Sequence, residues 1–125
     1  MADDWHQLSF DAAMQFAREA IKGCILINGG AGAGLVAFTP AAKAAGFDLS
    51  AMGNAVMAFG TGALLAVIGF GLSYIAQVYI SEVHPASEPQ LKIFSAWRYA
   101  AVAAVVLSAV MFFIGLCVAV GSMPK

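Results

Sequence analysis

Residues Cys24 to Phe38 read CILINGGAGAGLVAF, an aliphatic run that reaches Asn28 and then steps through Gly29, Gly30, Gly32 and Gly34. In an α/β protein, an aliphatic strand leading into a glycine-rich turn prepares the chain to hold a pyrophosphate. In a membrane, the same letters describe a helix stripped of side chains for close packing. The spacing separates the two readings. A dinucleotide fingerprint needs GxGxxG inside a strand-turn-helix unit, with an acidic residue about 20 residues on. Here Gly30, Gly32 and Gly34 alternate, and neither the next strand nor a crossover helix follows. A Walker motif needs Lys and then Ser or Thr after its last glycine, where this chain has Leu35 and Val36. The stretch does not read as a nucleotide cradle.

Composition agrees with the membrane reading. The 125 residues are 62% hydrophobic and 10% charged, with a mean hydropathy of +0.86, against about 45–50% apolar and about 25% charged in soluble domains. A formal charge of -1 offers no basic stripe for nucleic acid. Cys24 and Cys117 each sit inside an apolar run and read as two small buried hydrophobes toward opposite membrane faces, too far apart to be bridged. The start, Ala2, Asp3, Asp4 and Trp5, is acidic where a signal peptide is basic.

Ser9 is a candidate helix N-cap, with Asp11 in the first turn where negative charge suits the helix dipole, so a helix is predicted to begin there. Phe10, Ala13, Met14, Ala17 and Ile21 recur at helical spacing, while Asp11, Gln15, Arg18 and Lys22 form a polar stripe. This is an amphipathic lead-in over 9–20. Nothing before Phe38 breaks a helix, so the lead-in is predicted to continue into the opening stretch as one element roughly 45 Å long, ended by Thr39 and Pro40. Residues 24–38 fall short of the ~20 that a span usually needs. The first span is therefore placed at about 21–38, with Lys22 snorkelling toward water.

Residues 41–50, with a turn at Gly46, are short enough to make the next helix an antiparallel neighbour. That helix, capped by Ser50, carries an uncharged span over 51–80 that must tilt or protrude. Tyr74, Gln77 and Tyr79 mark its interfacial end. Residues 81–90, SEVHPASEPQ, read as a loop, because a residue before proline is pushed out of the α region. Lys92, Trp97, Arg98 and Tyr99 then open a third span over 93–120. The expected fold is all-α: one membrane domain over 1–125 with three transmembrane helices and an amphipathic extension.

Each helix offers a thin face. Gly30 and Gly34 form GxxxG, with Ala33 and Ala37 one turn round. Ala58, Gly62 and Ala66 repeat every four residues, as do Ala96, Ala100, Ala104 and Ser108, and Phe112 belongs to a bulky patch from Met111 to Ile114. Such faces gain by van der Waals contact between backbones, since lipid tails are as apolar as leucine. Asn28, strongly polar and deep in the first span, calls for an interhelical hydrogen bond worth about 0.6–2 kcal/mol.

Chemistry-bearing patterns are missing. His6 and His84 have no supporting ligands, and His84 reads as a solvated loop residue. No Ser/His/Asp set, no cysteine and histidine at catalytic spacing and no intramembrane carboxylate pair is present, so neither an enzyme, a cofactor, a metal nor an ion pathway is expected.

The segment AIKGCILINGGAGAGLVAF, Ala20 to Phe38, resembles the first span of small bacterial inner-membrane proteins in which an INGGA core is followed by a small-residue, LLAF-like ending. It matches at Ile27 to Ala31 and at Ala37 to Phe38, and departs at Gly34, Leu35 and Val36. The resemblance implies a bacterial three-span protein and carries over no functional residue.

Arg18, Lys22, Lys92 and Arg98 flank one membrane face, and Lys43 and Lys125 the other, which puts the amino terminus in the cytoplasm. A chain made almost wholly of packing surface is expected to work by packing. It reads as an accessory or structural subunit of a larger inner-membrane complex, respiratory or photosynthetic for example, or as a homo-oligomer, with other membrane subunits and lipid as partners. The alternative is a small pore former of the holin type. That would want a polar stripe, and Asn54, Thr61, Ser73 and Gln77 are scattered. A quinone-binding or other small-molecule module is a third reading.

Overall fold

The longest apolar run in the sequence becomes the helix around which the other two pack. A computed structural model describes residues 2–82 and 87–124, with side chains over 14–79 and 87–124. The helices are α1 (Ala2–Ala44), α2 (Leu49–Glu82) and α3 (Glu88–Gly121), and no strand occurs among the described residues. All three are long and apolar enough to cross a membrane. α2 packs against both neighbours along much of its length, whereas α1 and α3 meet only briefly. α1 and α3 run parallel, with α2 antiparallel between them.

Several boundaries differ from the sequence expectation. α1 begins at Ala2 rather than Ser9: residues 2–8 contain no proline or glycine to stop a helix. α1 also continues through Pro40 to Ala44. Proline removes the N–H that would serve the Val36 carbonyl, which costs little this close to a helix end, and the Thr39 hydroxyl donates to Leu35 O at 3.0 Å in the same turn.

The connection between α1 and α2 shrinks to residues 45–48. Gly46 has φ +80, the left-handed conformation that only glycine adopts cheaply. Around it Phe47 N donates to Ala42 O (3.0 Å) and Gly46 N to Lys43 O (3.3 Å), a Schellman closure of α1, while the Phe47 ring meets Phe38 edge-on at 5.8 Å. Asp48, not Ser50, caps α2: its Oδ1 accepts from Ser50 N at 2.9 Å and Ala51 N at 3.3 Å.

α2 runs on to Glu82 and α3 starts at Glu88, so residues 81–82 and 88–90 of the predicted loop over 81–90 are helical. The reason is a local cap. Gln90 Oε1 accepts from both the backbone N–H and the hydroxyl of Ser87, each at 2.8 Å, and Pro89 sits in the first turn, where its missing N–H is not needed. His84 and Pro85 lie outside the described residues, as do the side chains of the lead-in before Met14 and of Lys125.

One end of the bundle is tied shut. Asp48 N donates to Ser122 O at 3.0 Å, joining the turn to the end of α3, and Ser122 is itself buried. α2 and α3, of 34 residues each, are about 51 Å long, and α1, of 43, about 65 Å, against a hydrocarbon core of ~30 Å. Because the closed end is level, the surplus length projects from the opposite, amino-terminal end.

Candidate functional site

The buried residues follow a seven-residue rhythm. On α2 Met52, Ala55, Phe59, Gly62, Ala66 and Gly69 alternate steps of three and four, and Ala58 and Ala76 are buried as well. On α3 they are Ala101, Ala104, Ser108 and Gly115, and on α1 Ile21, Asn28 and Ala42. A 3.5-residue period is the seam of left-handed helix packing, in which side chains enter holes on the facing helix.

The centre of this seam is a polar layer. Asn28 is 1% exposed, and its Nδ2 donates to Cys24 O (3.0 Å), Ser108 Oγ (3.3 Å) and Ser108 O (3.4 Å). Since Cys24 O and Ser108 O can only accept, the amide nitrogen must point at them. This leaves Asn28 Oδ1 buried with no hydrogen-bond donor, directed at the backbone of Gly62. A methyl group at position 62 would overlap that oxygen and come within 2.7 Å of Asn28 Cγ. Gly62 therefore provides the space that the amide fills.

The next layer is aromatic. Phe59, 2% exposed, tilts against Phe112 at 5.7 Å between ring centroids, and its ring lies over Gly115, where a methyl group would come within 2.8–3.0 Å of three ring atoms. A methyl group on Gly32 would stand 3.5 Å from the Cβ of Phe59, an ordinary contact. Nearer the amino-terminal end, α2 and α3 approach again at Gly69, where a methyl group would stand 3.2 Å from Ala101 O and from Val105 Cγ2.

The sequence candidates divide accordingly. Asn28, Gly62 and Ser108 converge in one layer; Ala58, Ala66 and Ala104 are buried beside it, and Phe112 is half-buried in the aromatic layer. Ala96 and Ala100 are exposed on α3. Gly30 and Gly34 are also exposed, and a methyl group on either would meet nothing within 4 Å, so they do not bring another helix of this chain close. On α1, Gly32 takes that part. Cys24 is half-buried, but Cys117 is exposed rather than buried, and both thiols are free. Phe59 and Gly115 escaped the sequence reading; the three-four spacing on α2 was the signal for the first.

Chemically, the layer can hold helices in register and little else. It contains no titratable group, and among the described residues no cluster of three or more His, Cys, Asp or Glu side chains could hold a metal ion. No protein-family model matches the chain, and neither a curated protein nor a solved structure matches it.

Proposed function

We propose that the chain is a structural or accessory subunit of a larger assembly in a bacterial inner membrane, with its amino terminus in the cytoplasm, and that it acts by helix packing. The observation that carries this reading is the outward face of α1. The apolar span of α1 is the least covered of the three by the rest of the chain. On that side Gly30, Ala33, Gly34 and Ala37 leave an exposed thin surface. Against lipid such a surface gains nothing over leucine, whereas against another helix it lets two backbones approach closely.

The second reading, a homo-oligomeric pore of the holin type, is favoured by Asn54. It is exposed on α2 seven residues before Thr61, hence on nearly the same face, and a further copy of the chain would supply a partner for its amide. Thr61 already donates to Met57 O at 2.8 Å.

Extraction in a mild detergent, followed by native electrophoresis and mass spectrometry of the resulting band, separates the two. Stoichiometric co-migration with other membrane subunits is the expected outcome. A uniform ring of this chain alone, which releases dye from liposomes, replaces the subunit reading with the pore.

A further inference from the structure

The bundle is closed by hydrogen bonds at its turn end and open at the other, where α1 and α3 part. Between them lies a cleft of about 260 Å³, floored by Ser73 and Gln77 of α2 and walled by Met14 and Ala17 on one side and by Phe94 and Arg98 on the other. It continues toward the membrane centre as a second recess of about 150 Å³, along Ala17, Ala101, Val102, Val105 and Val106. From Arg98 to Val106 the groove covers eight residues of α3, about 12 Å. That is close to the depth of one leaflet of a ~30 Å hydrocarbon core. The groove is thus polar and cationic at its outer end, apolar along its inner length, and open sideways to lipid.

Among the described residues its charge is of one sign. The Arg98 guanidinium rests near the rings of Phe94 and Tyr99, at 6.0 and 5.9 Å, and forms no ion pair among the described residues. Arg18 lines the adjoining cleft, which shares Met14, Ala17, Ser73 and Gln77, and among the described residues no acidic one lines either cleft or the inner recess. The neighbouring carboxylate, Glu19, is engaged by Lys22 at 2.8 Å. At the base of the cleft Gln77 Nε2 donates only to the thioether of Met14, at 3.2 Å. Sulfur is a weak acceptor, and an approaching oxygen would displace it readily. Tyr74, Trp97 and Tyr99 are exposed around the same level, as expected where headgroups begin.

We propose that this groove is a specific site for an acidic phospholipid of the leaflet at the amino-terminal end. Its phosphodiester is held by the planar donor fork of Arg98 and by the Gln77 amide, and one acyl chain lies along Ala17, Ala101, Val102 and Val106. Guanidinium and phosphate match in charge and in donor geometry, and basic pockets between membrane helices are a recurring way to select anionic headgroups. A neutral quinone would leave the charge of Arg98 unanswered. The site is independent of whatever partner covers the outer face of α1.

The test is native mass spectrometry of the intact, detergent-purified chain, titrated with palmitoyl-oleoyl phosphatidylglycerol and with phosphatidylcholine of the same acyl chains. The expected result is one tightly held phosphatidylglycerol, preferred about tenfold over phosphatidylcholine. Arg98→Gln should abolish the preference, Arg98→Lys should keep part of it, and Val102→Trp, which fills the groove, should weaken both lipids alike. Lys43→Gln, at the far end of the bundle, should change nothing. Helix content by circular dichroism checks that each variant is folded, and Arg98→Lys keeps the charge should Arg98→Gln fail to fold. Equal binding of the two lipids by the wild-type chain overturns the proposal, as does a preference that Arg98→Gln leaves intact.

Discussion

Asn28 and Gly30 stand two residues apart on α1 and meet opposite surroundings. Asn28 is enclosed by Gly62 and Ser108 and is almost without exposed surface; Gly30 has open space where a side chain would go. Both are residues that a membrane helix uses for close packing, yet only one packs within the chain. The difference follows from what each gains. A glycine turned outward gives up some van der Waals contact, but an asparagine turned into hydrocarbon leaves its whole amide without partners, a penalty of several kcal/mol. Asn28 therefore decides the rotation of α1 about its axis, and the GxxxG face points away as a consequence.

The strongest way to break this contrast is to fill the space that Asn28 occupies. Gly62→Leu places a side chain where the Asn28 amide lies, and neither α1 nor α3 can move without opening the seam above and below. We expect a loss of about 3 kcal/mol, the upper end for overpacking a tight interior, read as a large fall in the thermal midpoint of the purified protein in mild detergent. A Gly62→Leu variant as stable as the parent would mean that Asn28 does not sit between the helices.

Gly115→Ala probes the aromatic layer and should cost about 1–2 kcal/mol, because the Phe59 ring is buried and cannot swing out. Combining it with Phe59→Leu, which removes the ring atoms that clash, should recover part of that loss in a double-mutant cycle. Strictly additive losses would indicate that Phe59 and Gly115 do not touch.

Removing the polar group itself should matter less. Asn28→Ala is expected to cost about 1–2 kcal/mol and Ser108→Ala less, since Nδ2 still reaches two backbone carbonyls when the hydroxyl is gone. Their coupling energy should be about 0.6 kcal/mol, typical of hydrogen bonds between membrane helices. A coupling near zero would assign the cost of Asn28→Ala to lost packing rather than to the bond with Ser108.

These expectations also mark what the sequence could reveal. Three spans were legible because uncharged runs of this length have few other uses, and the turn was legible at Gly46 because so short a connection needs a residue tolerant of positive φ. On α2 the small residues and the inward face coincide, so that Ala58, Gly62 and Ala66 sit on its buried side. On α1 they do not coincide. Core and lipid are equally apolar, hence hydrophobicity gives no hint of which of two glycine faces turns inward, and the polar demand of a single residue settles it. The helix ends were hidden for another reason. A residue acts as a boundary only when its side chain caps the local backbone, and here Asp48, Ser87 and Gln90 did so while Pro40 and Ser50 did not.

The smallest effect on stability is expected at the outer face, and there the comparison is sharpest. Gly30→Leu and Gly34→Leu each add a side chain into open space, so the isolated chain should unfold within about 0.5 kcal/mol of the parent. Glycine is a poor helix former, and its replacement by leucine even favours α1 slightly. If a partner helix covers this face in the membrane, the same variants hold the two backbones apart and should lose the higher-mass species on a native gel. Intact stability together with lost assembly is the combination that separates an outer packing face from an inner one. Variants that assemble normally would leave the outer face to lipid and move the search for the partner to α3, where Ala96 and Ala100 are exposed.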